Sequence, residues 1–357
     1  MTGKKWFGWM LLAVAGLMTI TIAVTVYVDP YFHYHAPNSA ISYRLYEERY
    51  INDGIGRNFS FDAVITGTSM VQNFKTSEMN DLFGVDSVKM PFSGAAYKEV
   101  SENLRRTLQR KPDVKAVLWC LDYNGLMREY DAVEYDGLPE YLYDDIIIND
   151  VSYWFNKTIL YRGTFQNVLR TLKREPADTM DEYSIWQYET GLEHILLSYE
   201  PEDEVADQRT AMNDWEIATL KETIEKNVLA VTRAFPDTTF YIYFPPYSII
   251  YWDEEYRKGT ILPQIEAERM ASELLLNEDN IQLYSFFENT DLICDLSYYN
   301  DKFHYSADIN SRILQWIAKG DYQITESNLE SHINNMESFY TTYPYDMIFQ
   351  SLDEDKK

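Results

Sequence analysis

Between Trp6 and Val28 the chain carries no charged side chain, a run that matches the roughly 20 residues an α-helix needs to cross the hydrocarbon core of a bilayer. Residues 6–28 therefore predict a transmembrane span. Beyond Asp29 the pattern changes to short apolar runs alternating with longer segments of helical period. Residues 62–66, 85–89, 114–121, 239–244 and 281–285 predict five buried strands, and residues 97–110, 214–234 and 262–276 predict helices between them. Such alternation requires crossover connections, so the expected fold is α/β: a three-layer, doubly wound parallel sheet with helices on both faces.

The third and fourth predicted strands stand far apart. The stretch between them holds Tyr141-Leu142-Tyr143, Tyr153-Trp154-Phe155 and a helical pattern over 164–172. A structureless loop of that length is uncommon in a compact domain, which predicts a helical insertion or lid over about 126–212. The expected organisation is a cytoplasmic N-terminus at 1–5, an anchor at 6–28, a juxtamembrane segment at 29–60, the α/β domain at 61–320 and a C-terminal extension at 321–357. The acidic end, Asp353-Glu354-Asp355-Lys356-Lys357, reads as a solvated tail.

Charge sets the compartment. Lys4 and Lys5 precede the apolar run and Asp29 follows it, so the positive-inside rule predicts a single-pass plasma-membrane protein with everything after Asp29 outside the cytoplasm. A cleaved signal peptide is the competing reading. Its apolar region usually runs about 7 to 15 residues, and no convincing small-x-small site lies just before Asp29. The net charge of −26 is spread over the chain, which disfavours nucleic acid as a partner, and polyanionic substrates too unless a local basic patch forms. The 30 Tyr and 8 Trp can stack on sugars, but such rings also fill cores and interfaces.

The metal-binding residue types are sparse. The two cysteines, Cys120 and Cys294, exclude a disulfide-dense scaffold and a thiolate-rich metal site. Cys120 lies in the apolar run 117–121 as a small buried hydrophobe, and a single bridge to Cys294 stays open. Asp29-Pro30-Tyr31 opens an aromatic stretch suited to a chain leaving the bilayer. There His33-Tyr34-His35 offers two imidazoles with no third ligand nearby in sequence, so an interfacial or packing role is expected rather than a metal site. No metal and no cofactor are expected.

The first predicted strand runs straight into Gly67-Thr68-Ser69-Met70. This places Ser69 at the carboxyl end of a strand, where open α/β sheets put their active-site crevices. A serine hydroxyl becomes a competent nucleophile when an imidazole, oriented by a carboxylate, takes its proton. Of the five histidines, His33 and His35 lie at the membrane, His194 in an apparent helix and His332 near the tail. His304 instead lies in the polar turn Asn300-Asp301-Lys302-Phe303-His304 after the fifth strand, with Asp301 three residues earlier. The alternatives are a helix-capping Ser69 and a plain surface turn at 300–304.

Gly67-Thr68-Ser69 near the start of the domain and Asp301-x-x-His304 near its end resemble the first and fifth blocks of the SGNH/GDSL hydrolases, in the right order, over roughly residues 61–319. That resemblance implies a flavodoxin-like sheet and a Ser69-His304-Asp301 triad. It also implies an oxyanion hole from Ser69, from the N–H of Gly94 in Pro91-Phe92-Ser93-Gly94-Ala95 and from Asn124 in Asp122-Tyr123-Asn124. The chain departs from the family where Thr68 replaces the aspartate of Gly-Asp-Ser and Asp122 replaces the glycine of Gly-x-Asn-Asp. Asn124 thus stands between a donor and a turn-former, and Asp122 between a lost glycine and a supporting polar group. An α/β-hydrolase is disfavoured, because residues 67–71 lack the second glycine of a G-x-S-x-G elbow.

With the anchor, the chain is similar to Gram-positive envelope proteins distantly resembling the D-alanyl transfer protein of teichoic acid and the alginate acetylation proteins. This implies a serine esterase or O-acyltransferase acting on a cell-surface glycan or related polymer, with a membrane-bound acyl-donor protein as a further partner. A catalytically inactive scaffold of a polysaccharide-assembly complex and a membrane-associated lipase or thioesterase are the alternatives.

Overall fold

Each of the five predicted runs overlaps a strand, the second displaced from 85–89 to 87–91. In the computed structural model, which describes residues 3–135, 139–144, 146–202 and 204–349, these are β1 (Ala63–Gly67), β2 (Ser87–Pro91), β3 (Ala116–Cys120), β4 (Thr239–Phe244) and β5 (Ile281–Ser285). Every residue of β1, β2 and β3 is buried. That is why β1 and β3 read as continuous apolar runs rather than alternating ones, whereas β2 alternates Ser87 and Lys89 with Val88 and Met90. The sheet order is β2-β1-β3-β4-β5-β6, and the first five strands are parallel.

The sheet is mixed rather than wholly parallel. β6 (Gln323–Ile324) pairs antiparallel with β5. Two residues give no alternation to read, and the chain is turned back just before them by Gly320 and Tyr322, both at positive φ. Helices cover both faces. Thr76–Phe83 packs with Ala307–Lys319, while Tyr97–Arg110, Asp214–Thr223 with its continuation and Ile261–Leu275 form a second packed group. The helix expected over 214–234 starts at a capping box, where the Asn213 side chain accepts from the N–H of Trp215 and Glu216 and Glu216 accepts in return. It widens to a π-helix over Ile224–Leu229 and closes at Ala230–Thr232.

At the amino end, Gly3–Val28 is one helix of 26 residues with mean hydropathy 2.3 in its most apolar window, long and apolar enough to cross a membrane. Most of it is exposed, but Thr25 and Val28 are buried. The chain after it is not a loose connection. The Asp29 carboxylate accepts from the N–H of His33 at 3.0 Å, Tyr34 at 2.8 Å and His35 at 2.9 Å, and from the Tyr153 hydroxyl at 2.7 Å. Burial pushes the Asp29 carboxyl up even so. His33 Nε2 lies 3.2 Å from Asp150 Oδ1, and the His35 ring bonds the carbonyls of Ala36 and Val26.

The segment expected to be juxtamembrane belongs to the domain. Tyr31, Phe32, Ile51 and Ile55 lie in the core, and a Cβ on Gly54 would stand 2.0 Å from the Tyr31 carbonyl oxygen. The helix Glu48–Asn58 packs on Tyr97–Arg110 and β2. Residues 126–212 are less helical than expected, with short turns at Glu140–Leu142 and Ile147–Asp150 and four-residue helices at Val151–Trp154 and Leu192–Ile195. The helix expected over 164–172 is longer: a π-helix, Thr158–Phe165, continues as Gln166–Lys173. Both cysteines are free thiols, Cys120 buried. The acidic stretch at 353–357 lies outside the described residues.

Candidate active site

β1 ends in Gly67 at φ +149°, where a Cβ would stand 2.9 Å from Cys120 Cβ and 3.0 Å from Val71 Cγ1. Only glycine lets the chain turn so closely against β3. Ser69 then opens a 3₁₀ turn, Ser69–Val71. Asn310 Nδ2 donates to the Met70 carbonyl at 2.9 Å. From below, the buried Lys89 of β2 donates to the carbonyls of Phe74, at 2.9 Å, and Gln72. Burial pushes the Lys89 ammonium down to about 7, with Asp181 and Glu48 opposing the drop.

His304 is held by its own turn. Tyr299 and Tyr305 form a β-bridge, and the Asn300 N–H donates to the His304 carbonyl at 2.9 Å. Asp301 Oδ1 accepts from the N–H of Phe303 and His304, both at 2.8 Å, which aims Oδ2 at His304 Nδ1, 2.7 Å away. Burial raises the Asp301 carboxyl, but the His304 hydrogen bond and charge and the two N–H donors outweigh it, leaving a net pKa below the usual carboxylate value. An ionised Asp301 keeps the imidazole proton on Nδ1, so Nε2 is free to accept. Ser69 Oγ lies 2.7 Å from that Nε2.

A second carboxylate, Asp122, lines the site from the end of β3. Its oxygens accept from the hydroxyls of Tyr247, at 2.7 Å, and Thr68. Burial pushes its carboxyl up against those two bonds. The Tyr97 hydroxyl donates to the Asp122 carbonyl at 2.7 Å.

Two cavities meet at Ser69 and His304. A small one of about 130 Å³ is lined by Gly94, Asn124 and Arg128 and walled by Tyr97, Tyr247 and Phe303. The structure thus brings Ser69, Gly94, Asn124 and His304 to one cavity, and Asp301 stands behind the imidazole. Gly94 adopts φ +66° after β2. Neither the Gly94 N–H nor the Asn124 carboxamide bonds another protein group among the described residues, so both can serve a ligand. The larger cavity, about 700 Å³, is lined by Gln72, Ser93, Ser184, Trp186, Tyr188 and Asn300, with Ser69 and His304 at its floor.

Residues 178–191 form the outer wall of that cleft and are pinned along their length. Asp181 accepts from Thr76 and Ser77, the Tyr183 hydroxyl donates to Asn52, the Ser184 hydroxyl to Glu48, and the Trp186 N–H to Asn73. Ser184 sits at φ 60°, a conformation costing about 1–3 kcal/mol that persists only where the surroundings dictate it. The result sets Trp186 edge-on to His304, ring centroids 5.5 Å apart, with Tyr188 stacked on it at 5.2 Å. No spacing rule ties Trp186 or Tyr188 to residues over a hundred positions away. Arg128 and Tyr247 likewise carry no local signal.

Among the described residues no group of three His, Cys, Asp or Glu side chains is arranged to hold a metal ion. No family model, curated protein or solved structure matches this chain.

Proposed function

We propose that the chain is a membrane-anchored serine esterase or O-acyltransferase of the SGNH type, acting outside the cytoplasm on acyl esters of a cell-surface glycan or related polymer. The observation that carries this reading is the continuous relay from Ser69 Oγ to His304 Nε2 and from His304 Nδ1 to Asp301 Oδ2, each link 2.7 Å. Its position supports the reading as well. Ser69 follows β1 and Asp122 follows β3, on either side of the point where the strand order reverses, which is where open α/β sheets bind ligands.

In this reading Ser69 Oγ attacks the ester carbonyl as His304 Nε2 takes its proton. The carbonyl oxygen, now negative, is held by the N–H of Gly94 and Ser69 and by Asn124. His304 then protonates the departing alkoxide, leaving an acyl group on Ser69. A glycan hydroxyl or a water enters, gives its proton to His304 and attacks the acyl carbonyl; as the ester to Ser69 breaks, His304 returns the proton to Ser69 Oγ and the acyl group leaves on the acceptor. The departures from the family pattern are coupled: Thr68, in place of aspartate, donates to Asp122, in place of glycine. In this chain a carboxylate thus stands at the end of β3 rather than of β1.

The two cavities suit two substrates' halves. The smaller, about 130 Å³ against about 700 Å³ for the cleft, is walled by Tyr97, Tyr247 and Phe303, and as the tighter of the two it suits a short acyl group. The wider cleft pairs the Trp186 and Tyr188 rings with the hydroxyl and amide groups of Ser184, Ser93, Gln72 and Asn300, a combination that suits the faces and hydroxyls of a sugar. Its polar lining argues against a lipase.

Purified full-length protein should turn over the p-nitrophenyl ester of acetate and lose at least tenfold in kcat/KM with octanoate. Equal rates across chain lengths would contradict the short-acyl assignment. No turnover of any ester would favour a binding role over catalysis.

A further inference from the structure

The chain carries 57 acidic side chains against 31 basic ones, yet Lys157, Arg162, Arg170, Lys173 and Arg174 are joined by no acidic residue between positions 157 and 174. That stretch is the helix Thr158–Phe165 continued by Gln166–Lys173. One face is buried: Ile159, Gly163, Thr164 and Asn167, with the Asn167 carboxamide accepting from the Arg44 N–H. The opposite face exposes Tyr161, Phe165 and Leu172, the last 75% accessible. Tyr161 and Phe165 stack on each other in the open, ring centroids 5.8 Å apart.

Beside it, residues 146–151 expose Ile146, Ile147, Ile148 and Val151, with Ile148 88% accessible. These elements are not scattered over the domain. Val151–Trp154 and Thr158–Phe165 both pack on the long apolar helix Gly3–Val28, and Gly163 is pressed against Pro30, where a Cβ would stand 2.7 Å from the ring. Arg162 pairs with Glu47 and Arg170 with Asp178, while Lys157 and Arg174 have no carboxylate partner among the described residues.

We infer that residues 146–151 and the outer face of the 158–173 helix lie in the headgroup region of the bilayer that Gly3–Val28 crosses, as a second, non-spanning membrane contact. The inference rests on Gly3–Val28 spanning the bilayer. Apolar side chains this exposed are costly in water and gain by burial at the acyl boundary. Basic residues alongside them meet anionic headgroups, the composition that distinguishes a surface-lying helix from a spanning one. Continuity with the anchor selects lipid over a protein partner, because the exposed face begins where the anchor leaves the bilayer. Two attachments also hold the domain in one orientation, so the cleft at Ser69 faces the envelope at a constant tilt.

The test is spin-label accessibility on the full chain, in a Cys294→Ser background, reconstituted in vesicles of phosphatidylcholine and phosphatidylglycerol at three to one. Nitroxides at Ile148→Cys, Phe165→Cys and Leu172→Cys should relax faster with oxygen than with a water-soluble nickel chelate. Labels at Leu197→Cys and Trp215→Cys, exposed but remote in sequence from these elements, should show the reverse. Leu12→Cys reports the span itself, oxygen-dominated if Gly3–Val28 is in the bilayer. With Leu12→Cys oxygen-dominated, nickel-dominated relaxation at Ile148→Cys and Phe165→Cys would overturn the membrane contact, and shielding from both reagents there would overturn it in favour of a protein partner. A nickel-accessible Leu12→Cys would instead remove the premise.

Discussion

Replacing Ser69 by alanine is expected to lower kcat/KM for an acetyl ester by at least about 10⁴-fold, because the nucleophile is lost while the donors at Gly94 and Asn124 remain. Asp301→Asn should cost a similar factor for a different reason. Asp301 Oδ2 accepts from His304 Nδ1 and Oδ1 from two backbone N–H groups. An amide at that position would present its NH₂ or its oxygen to the ring, and the tautomer with a basic Nε2 would no longer be enforced. The fold should tolerate both changes, since among the described residues the Ser69 hydroxyl bonds only His304, and an asparagine at 301 keeps an oxygen to accept from the Phe303 and His304 N–H groups. Circular dichroism and thermal midpoints within about 2 °C of the wild type would separate a chemical loss from a folding loss. A Ser69→Ala variant retaining more than a tenth of the activity would rule out Ser69 as the nucleophile.

The second large effect concerns stability. His332, on the helix Leu329–Thr342, is buried between Glu268 Oε1 at 2.8 Å and Glu288 Oε2 at 2.6 Å. Burial lowers the imidazole pKa, but hydrogen bonds and charge from Glu268 and Glu288 more than reverse this, raising it to about 9. The carboxylates thus hold the ring as an imidazolium, tying the C-terminal helix to Ile261–Leu275 and to the loop after β5. Tyr340 adds to the same anchor, stacked on Trp252 at 3.9 Å with its hydroxyl donating to the Phe287 carbonyl.

His332→Leu removes the cation and leaves Glu268 buried without it, which should destabilise the protein by about 3–5 kcal/mol at pH 6. The pH dependence has a definite sign. The folded pKa, about 9, lies above the unfolded value near 6.5, so the stabilisation is full below about 6.5 and is lost as pH rises through 9. Unfolding free energies of wild type and His332→Leu from urea titrations should therefore differ most at pH 6 and converge by about 3 kcal/mol toward pH 9.5. A gap independent of pH would mean that the site holds a neutral ring.

What could be read from the chain followed from how local each signal is. Strands β1 and β3 were legible because central parallel strands are buried on both faces, so Ala63–Gly67 or Ala116–Cys120 appears as an unbroken apolar run. Ser69 and His304 were legible because each sits in a short polar turn at a strand end, and Asp301 reaches the ring from three residues away. Asp122 was legible only as a departure from a pattern; its role depends on Thr68 and Tyr247, which approach from other strands. The stretch after Asp29 reads as a membrane exit because Pro and aromatics suit an interface, but its packing on the domain has no local trace: the Asp29 carboxylate meets Tyr153, 124 positions away. Trp186 reaches His304 only because Tyr183, Ser184 and Asn73 pin its segment, and none of those contacts leaves a periodic trace.

Covalent labelling reads directly whether His304 activates Ser69 as a nucleophile. Full-length protein treated with a fluorophosphonate and digested for mass spectrometry should carry the phosphonyl group on the peptide containing Ser69. Labelling should vanish in Ser69→Ala and slow by about 10²–10⁴-fold in His304→Ala, the usual contribution of a positioned general base. An unlabelled Ser69 in folded protein, or labelling that proceeds equally fast without His304, would contradict that activation.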